Sequence, residues 1–204
     1  MRSHLPAPFA LVLLAGLVAA ALARPAAAAA LEPGAAAPDF TAQASLAGKE
    51  MTFSLADARK SGPVVVYFYP SAFTGGCNAQ AHAFAENIDK FKAAGAKVIG
   101  VSLDSIARLN DFSADPNYCA GKLPVASDAD GKIAKSYGVD ITPGEPGSKD
   151  SRGQEIGHDF AKRITFVVGQ DGKVAATIGG VKPTDNVDQT LAAVQKLGKA
   201  PAGR

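Results

Sequence analysis

The chain has no tryptophan, two methionines, two cysteines and three histidines among 204 residues. No Cys-x-x-Cys pair occurs, which argues against thioredoxin-type disulfide exchange. An excess of charge is missing too. Twenty-one Lys and Arg face 19 Asp and Glu, and the first thirty residues hold Arg2 and Arg24 but no acid, so the remainder is balanced. Nothing here forms an electrostatic footprint for nucleic acid or an anionic lipid surface. Internal repeats are absent, and the one long apolar run, Phe9 to Ala23, is shorter than the ~20 residues that cross a bilayer.

That run follows Arg2 and His4 and leads into small residues through Ala30. A basic start, an apolar segment and an Ala-x-Ala-type site together predict a secretory signal peptide over residues 1–30. Cleavage can follow Ala23, Ala28 or Ala30, and Ala30, just before Leu31-Glu-Pro-Gly34, is preferred. The expectation is an exported protein, periplasmic or secreted, with no stable membrane association after cleavage. Residues 31–37 are rich in Ala and Pro and are expected to be a flexible tether, 38–198 one folded domain, and 199–204 a disordered tail.

Within that domain, residues 47–54 alternate around an expected hairpin, and Val64 to Tyr69 is a β-branched and aromatic run suited to a strand covered on both faces. From Cys77 onward, Ala81, Phe84, Ile88 and Phe91 fall at steps of four and three, one stripe of a helix that Gly95 ends. Lys97 to Ser102 is the next strand, and Asp104 or Ser105 can cap a helix through Phe112. Strand, helix, strand, helix argues for parallel pairing with helices on the sheet faces. Leu123 to Ala126 reads as a short strand, Ile133 and Tyr137 as a short helix, and Ile164–Val168 with Val174–Ile178 as an antiparallel hairpin. Val187, Leu191 and Val194 share one face of a closing helix. Between Thr142 and Asp159 lie so many Gly, Pro and Ser that an insertion or mobile loop is expected, not a strand. The fold class is α/β, a mixed sheet flanked by helices with an N-terminal hairpin extension.

The organising stretch is Val64-Val-Val-Tyr-Phe-Tyr-Pro-Ser-Ala-Phe-Thr-Gly-Gly-Cys77. A buried strand runs through Pro70 into a loop that sets one sulfur at a helix N-terminus. Unpaired N–H groups and the helix dipole there favour an anion, so the Cys77 thiol pKa is expected to fall and the thiolate to be populated. Each residue also has a plainer reading. A buried cysteine is often an inert small hydrophobe, Pro70 can simply end a strand, Thr74 can cap the helix, and Arg163 alone is a solvated strand-end charge.

Pro70-x-x-x-Thr74-x-x-Cys77 resembles the active-site motif of the peroxiredoxins, thiol peroxidases of thioredoxin fold. Arg163-Ile-Thr-Phe-Val-Val168 is similar to that family's later strand with its active-site arginine. The resemblance spans roughly Ala37 to Leu197 and is closest to the branch related to bacterioferritin-comigratory proteins. It implies a thioredoxin-like fold and reduction of hydrogen peroxide and organic hydroperoxides through a sulfenic acid on Cys77. It gives Thr74 a hydrogen bond to the sulfur or the peroxide, Pro70 the shielding of the sulfur from water, and Arg163 the charge that stabilises the thiolate and grips the peroxide. No cofactor or metal is implied. The Gly76 and Cys77 N–H groups are expected as further donors, since a glycine lets a substrate approach the backbone closely. Departures are His82 where many members of the branch have a second cysteine, Gln80 in place of a frequent glutamate, Gly76 where Pro or Val is common, and the long 142–159 segment. The lack of tryptophan argues, by family analogy, against a glutathione-peroxidase-like site.

Recycling needs a partner for the sulfenic acid, and Cys119 is the only other cysteine. Some relatives of the branch place a resolving residue in a similar loop, so the resemblance favours a Cys77–Cys119 disulfide formed in turnover and reduced by a thioredoxin-like or other thiol partner. Two alternatives stay open: a static structural disulfide, and a free Cys119 with an outside thiol reducing Cys77. The competing function is a non-enzymatic thioredoxin-like exported protein, held by that clip or carrying a metal. Cys77 and His82 lie about 140° apart around a helix and do not converge on an ion, which leaves His158 as the remaining ligand candidate. A monomer or weak dimer is expected.

Overall fold

The computed structural model describes residues 29–199. The signal-peptide expectation lies, except for its last two residues, outside them, as do residues 200–204 of the expected tail. Two strands open the domain, β1 (Thr41–Leu46) and β2 (Lys49–Ser54), paired antiparallel. Their two-residue turn places Ala47 at φ 53° and Gly48 at φ 76°, the left-handed pair whose twist suits a tight hairpin. The short helix α1 (Leu55–Arg59) leads to β3 (Val64–Phe68), and α2 (Gly75–Ala93) and β4 (Lys97–Ser102) follow. Then come α3 (Ile106–Ala114), β5 (Val125–Ser127) and α4 (Lys132–Ser136). A two-residue pair, β6 (Ile141–Thr142) and β7 (Phe160–Ala161), brackets the glycine-rich segment, and β8 (Ile164–Val168), β9 (Val174–Gly179) and α5 (Pro183–Lys199) close the chain.

Seven strands form one sheet in the order β2-β1-β5-β4-β3-β8-β9. β3, β4 and β5 run parallel, as the strand–helix rhythm requires, while β8 lies antiparallel to β3. Every residue of β3 is buried, and its side chains alternate between two cores. Val65 and Tyr67 join α2, α3 and α5 on one face; Val64, Val66 and Phe68 join α1 and α4 on the other. Each such fully buried large side chain contributes about 1.5–3 kcal/mol, so the central strand is a rigid mount for the loop at its end. The stripe expected on α2 is buried as read, through Ala81, Phe84, Ile88 and Phe91.

Three expectations change. Residues 31–37 are not a free tether: Leu31 N–H donates to Tyr137 O at 3.1 Å, Gly34 N–H to Val174 O at 2.8 Å and Ala37 N–H to Gly172 O at 2.8 Å, so the segment is laid along the domain by backbone hydrogen bonds. Lys199 belongs to α5 rather than to a tail. The 142–159 segment has the expected irregular backbone, but it is tied down at many points, as described below. The choice of cap for α3 falls to Ser105, whose Oγ accepts from Arg108 N–H at 3.3 Å, which frees Asp104 for another task.

Tyr67 is paired with Gly100 across β3 and β4, and its ring end lies 2.6 Å from where a Cβ on Gly100 would sit. A Gly100→Val protein should therefore be destabilised by about 1–3 kcal/mol through overpacking. Its thermal midpoint is expected to drop by several degrees; an unchanged midpoint would show that the ring is free to move.

Candidate active site

β3 ends at Phe68, and Tyr69 and Pro70 carry the chain into the turn Ser71–Phe73. Thr74 takes the N-cap position of α2 with extended backbone, φ −113° and ψ 146°. Cys77 is thus in the first helical turn, and its residue surface is 2% exposed. The first helical hydrogen bond runs from Asn78 N–H to Thr74 O at 2.8 Å. The N–H groups of Gly75, Gly76 and Cys77 precede it and have no acceptor within the helix. Thr74 does not cap them. Its hydroxyl donates to Ser71 O at 2.8 Å and makes no bond to the Cys77 sulfur, which leaves its oxygen lone pairs free as an acceptor.

The pairing of β8 with β3 sets Ile164 opposite Phe68, so Arg163 stands beside the end of β3. Its Nη2 donates to Cys77 Sγ at 3.1 Å, and its Nη1 donates to Gln80 Oε1. Gln80 in turn donates from Nε2 to Asn186 Oδ1 at 2.9 Å, and Thr165 Oγ1 donates to the same oxygen at 2.7 Å. Asn186 completes the chain by donating to Ile178 O at 3.0 Å. Gln80, Thr165 and Asn186 are all buried, so each polar atom depends on these partners. Gly76 makes room here: a Cβ at that position would lie 3.3 Å from Arg163 Nη2 and 3.4 Å from Pro183 Cγ. A side chain there would press on the guanidinium and on the first residue of α5.

A second network grips the turn before Cys77. Asp104, fully buried, accepts from Ala72 N–H at 2.8 Å, Ser71 Oγ at 3.0 Å and Ser102 Oγ at 2.8 Å. Arg108 lies 2.8 Å from the same carboxylate and donates from Nη2 to Ala72 O at 3.0 Å. The 142–159 segment supplies the rest. Ser151 N–H donates to Phe73 O at 2.8 Å, and the Arg152 guanidinium lies 3.2 Å from the centre of the Phe73 ring. Asp150 pairs with Arg108 and Arg152, and His158 Nε2 lies 2.8 Å from Asp104 Oδ1. Phe73 itself sits at φ 59°, a left-handed conformation that a bulky residue adopts only when its surroundings enforce it.

Of the residues singled out in the sequence, Arg163 meets the Cys77 sulfur, Thr74 stands three residues before it at the N-cap of α2 with its hydroxyl on Ser71 O, and Pro70 is half-buried at the head of the turn. Sequence reading missed Asp104 as more than a cap, along with Arg108, Arg152, Thr165 and Asn186. One signal was present: Asn186 and Thr190 fall beside Val187 and Val194 on the apolar face of α5, where a polar residue needs a buried partner. His158, the remaining metal-ligand candidate, is committed to Asp104. Among the described residues no group of three or more His, Cys, Asp or Glu side chains could hold a metal ion. His82 pairs with Glu86 on the exposed side of α2 at 3.3 Å.

Cys119 is a free thiol, as is Cys77, so the static clip does not hold this structure together. It is fully buried in the same core as Cys77, Phe112 and Leu123. Burial pushes its thiol well above the usual range, and Asp115 adds to this. Tyr67 belongs to the same core, and its buried hydroxyl has no hydrogen-bond partner. Burial raises the Tyr67 pKa well above its ordinary value.

Comparison with known proteins agrees with this geometry. Residues 33–177 match the AhpC/TSA family. The chain is 36% identical over 143 residues to chloroplastic peroxiredoxin Q of Sedum lineare, covering 68% of this chain and 66% of that protein. It is 32% identical over 128 residues to peroxiredoxin Bcp of Escherichia coli K12, covering 63% of this chain and 75% of that one. Among solved structures, peroxidoxin BcpB from Mycobacterium tuberculosis superposes with a TM-score of 0.68 at 27% identity, over 82% of this chain and 98% of that one. Peroxiredoxin Q of Xanthomonas campestris gives 0.61 at 27% identity, over 85% and 100%. By sequence, by its thioredoxin-like sheet and by the arginine-bound sulfur at the head of α2, the chain belongs to the AhpC/TSA family, the peroxiredoxins.

Proposed function

We propose that this protein is a thiol peroxidase that reduces hydrogen peroxide and organic hydroperoxides by direct attack of Cys77. The observation that carries the proposal is the Arg163 guanidinium donating to a nearly buried sulfur in the first turn of a helix. As the sulfur attacks, an S–O bond forms and the O–O bond breaks. Negative charge moves onto the departing oxygen, which takes up the proton released by the Cys77 thiol and leaves as water or an alcohol. Cys77 is left as the sulfenic acid. Arg163 and the free N–H groups of Gly76 and Cys77 supply fixed donors where that charge develops. Thr74, whose hydroxyl donates its hydrogen bond to Ser71 O, keeps its oxygen lone pairs to accept a hydrogen bond from the bound hydroperoxide. Pro70, at the head of the turn, helps keep water from the sulfur.

Cys119 completes the cycle in this proposal. Its thiol displaces the sulfenic hydroxyl to give a Cys77–Cys119 disulfide and water, and a thioredoxin-like or other dithiol partner reduces that bond. Placement of both sulfurs in one buried core supports the pairing. Because both are buried, the bond needs the first turn of α2 or the segment around Cys119 to open. The leader-like first thirty residues support an exported protein, periplasmic or secreted, working as a monomer or weak dimer.

Two measurements test this. One equivalent of hydrogen peroxide should convert the reduced protein to an internal disulfide, seen as faster migration on a non-reducing gel. Cys119→Ser should instead retain a Cys77 sulfenic acid that dimedone traps, and Cys77→Ser should consume no peroxide at a protein-specific rate. A sulfenic acid that persists unchanged with Cys119 present would remove the resolving role. Arg163→Gln should slow oxidation of Cys77 by about 10²-fold, the usual loss for one preorganised donor at a developing anion; a rate within twofold of the parent would contradict the assignment.

A further inference from the structure

The glycine-rich segment between β6 and β7 ends on a histidine whose two ring nitrogens both face acceptors. Nε2 lies 2.8 Å from Asp104 Oδ1, and Nδ1 lies 2.7 Å from the backbone oxygen of Asp159. A neutral imidazole has one N–H and can serve only one of them. The doubly protonated ring serves both. His158 is therefore built into the fold as a cation, and its counter-ion is the carboxylate that holds Ser71 and Ala72, the turn leading to Thr74 and Cys77.

Resting on the peroxidase reading, we infer that His158 is a positioning residue for peroxide attack: as an imidazolium it fixes Asp104, and through Asp104 the Ser71–Phe73 turn, so that the order of the peroxidatic turn depends on its proton. The 142–159 segment is then a latch and not a loose insertion. It touches the turn at three separate points: His158 through Asp104, Ser151 on the Phe73 carbonyl, and Arg152 on the Phe73 ring. Of these only His158 titrates near neutral pH.

The surrounding charges set the direction. Asp104 and Arg108 face His158 from the β4–α3 junction, and Arg152 and Glu155 share a cavity with it along its own segment. Asp111 borders that cavity on the far side; Asp130, Lys135 and Asp159 line a second one against the same ring. Burial opposes the ring's charge and Arg108 opposes it weakly, but the hydrogen bond and attraction to Asp104 outweigh both, and the His158 pKa is raised. For Asp104, burial again opposes charge, His158 outweighs it, and the pKa is lowered. The folded pKa of His158 thus exceeds its unfolded value. Its contribution is complete below about pH 6.5 and is lost as pH rises through the raised folded value. The latch loosens towards alkaline pH.

The test uses the reduced full-length chain with hydrogen peroxide, comparing the parent with His158→Ala, His158→Gln and, as a titration control, His82→Gln. Two quantities are followed from about pH 5.5 to 9: the protection of the Ala72 amide against hydrogen exchange, corrected for intrinsic rate, and the rate constant of Cys77 oxidation. At the acid end, His158→Ala should lower Ala72 protection by about tenfold, as for one lost charge-assisted hydrogen bond. Amides of β3 and β4 should keep theirs, and Cys77 oxidation should slow severalfold. The deficit should shrink with rising pH as the parent loses its own latch. His158→Gln, which donates without titrating, should keep Ala72 protection nearly level across the range, and His82→Gln should match the parent. Equal protection and equal rates in the parent and His158→Ala overturn the inference. So does lost protection with an unchanged oxidation rate, or a deficit independent of pH. If instead the parent itself reacts no faster than an ordinary surface thiol, the peroxidase reading fails and not the latch alone.

Discussion

A single contact organises this protein: a guanidinium donating to a sulfur at the head of a helix. Neither group can hold that position unaided. The sulfur is fixed because β3 is buried on both faces and hands the chain directly into the turn before α2. The guanidinium is fixed because β8 pairs with β3, and because Gln80, Asn186 and Thr165 form a chain of buried hydrogen bonds behind it. Truncating a member of that chain leaves the others unpaired in a dry interior, which costs about 1–3 kcal/mol for each such group. The geometry around Cys77 is therefore enforced from α5 and from the sheet as much as from its own helix.

The turn between strand and helix is the second constraint. Phe73 is held in a left-handed conformation by ionic and aromatic contacts from Arg108 and Arg152, while Asp104 holds Ala72. These contacts join the catalytic turn to a segment more than seventy residues later in the chain. In the proposed cycle the protein needs two states, one with the sulfur sheltered for attack and one with it released to meet a second thiol. The state described here is the sheltered one, with both sulfurs buried in the same interior.

Much of this was legible in the sequence. Pro70, Thr74 and Cys77 stand out because chemistry at a helix N-terminus needs those residue types at short, fixed spacing, and the stripe of Ala81, Phe84, Ile88 and Phe91 announces the helix that follows. Hairpins and parallel strands were readable from alternation and from turn residues. What could not be read was long-range polar pairing. Nothing local marks Asp104 as the anchor of a turn about thirty residues earlier, or Asn186 on α5 as the support of an arginine just ahead of β8. Residues 142–159 look mobile because their composition is that of a free loop; they are tied down by ions on α3 and at the β4–α3 junction. Residues 31–37 look like a tether for the same reason, since backbone hydrogen bonds to a distant edge leave no mark on side-chain composition.

The central claim is that the surroundings of Cys77, more than its accessibility, make it the atom that peroxide oxidises. Met51, with 41% of its surface exposed, is a far more accessible sulfur, and Cys119 shares the interior with Cys77. The direct measurement is peptide mapping of the reduced chain after brief exposure to substoichiometric hydrogen peroxide, quenched with a sulfenic-acid trap. The account requires the first oxygen on Cys77, with Met51 unchanged; oxidation appearing first on Met51 or Cys119 would contradict it.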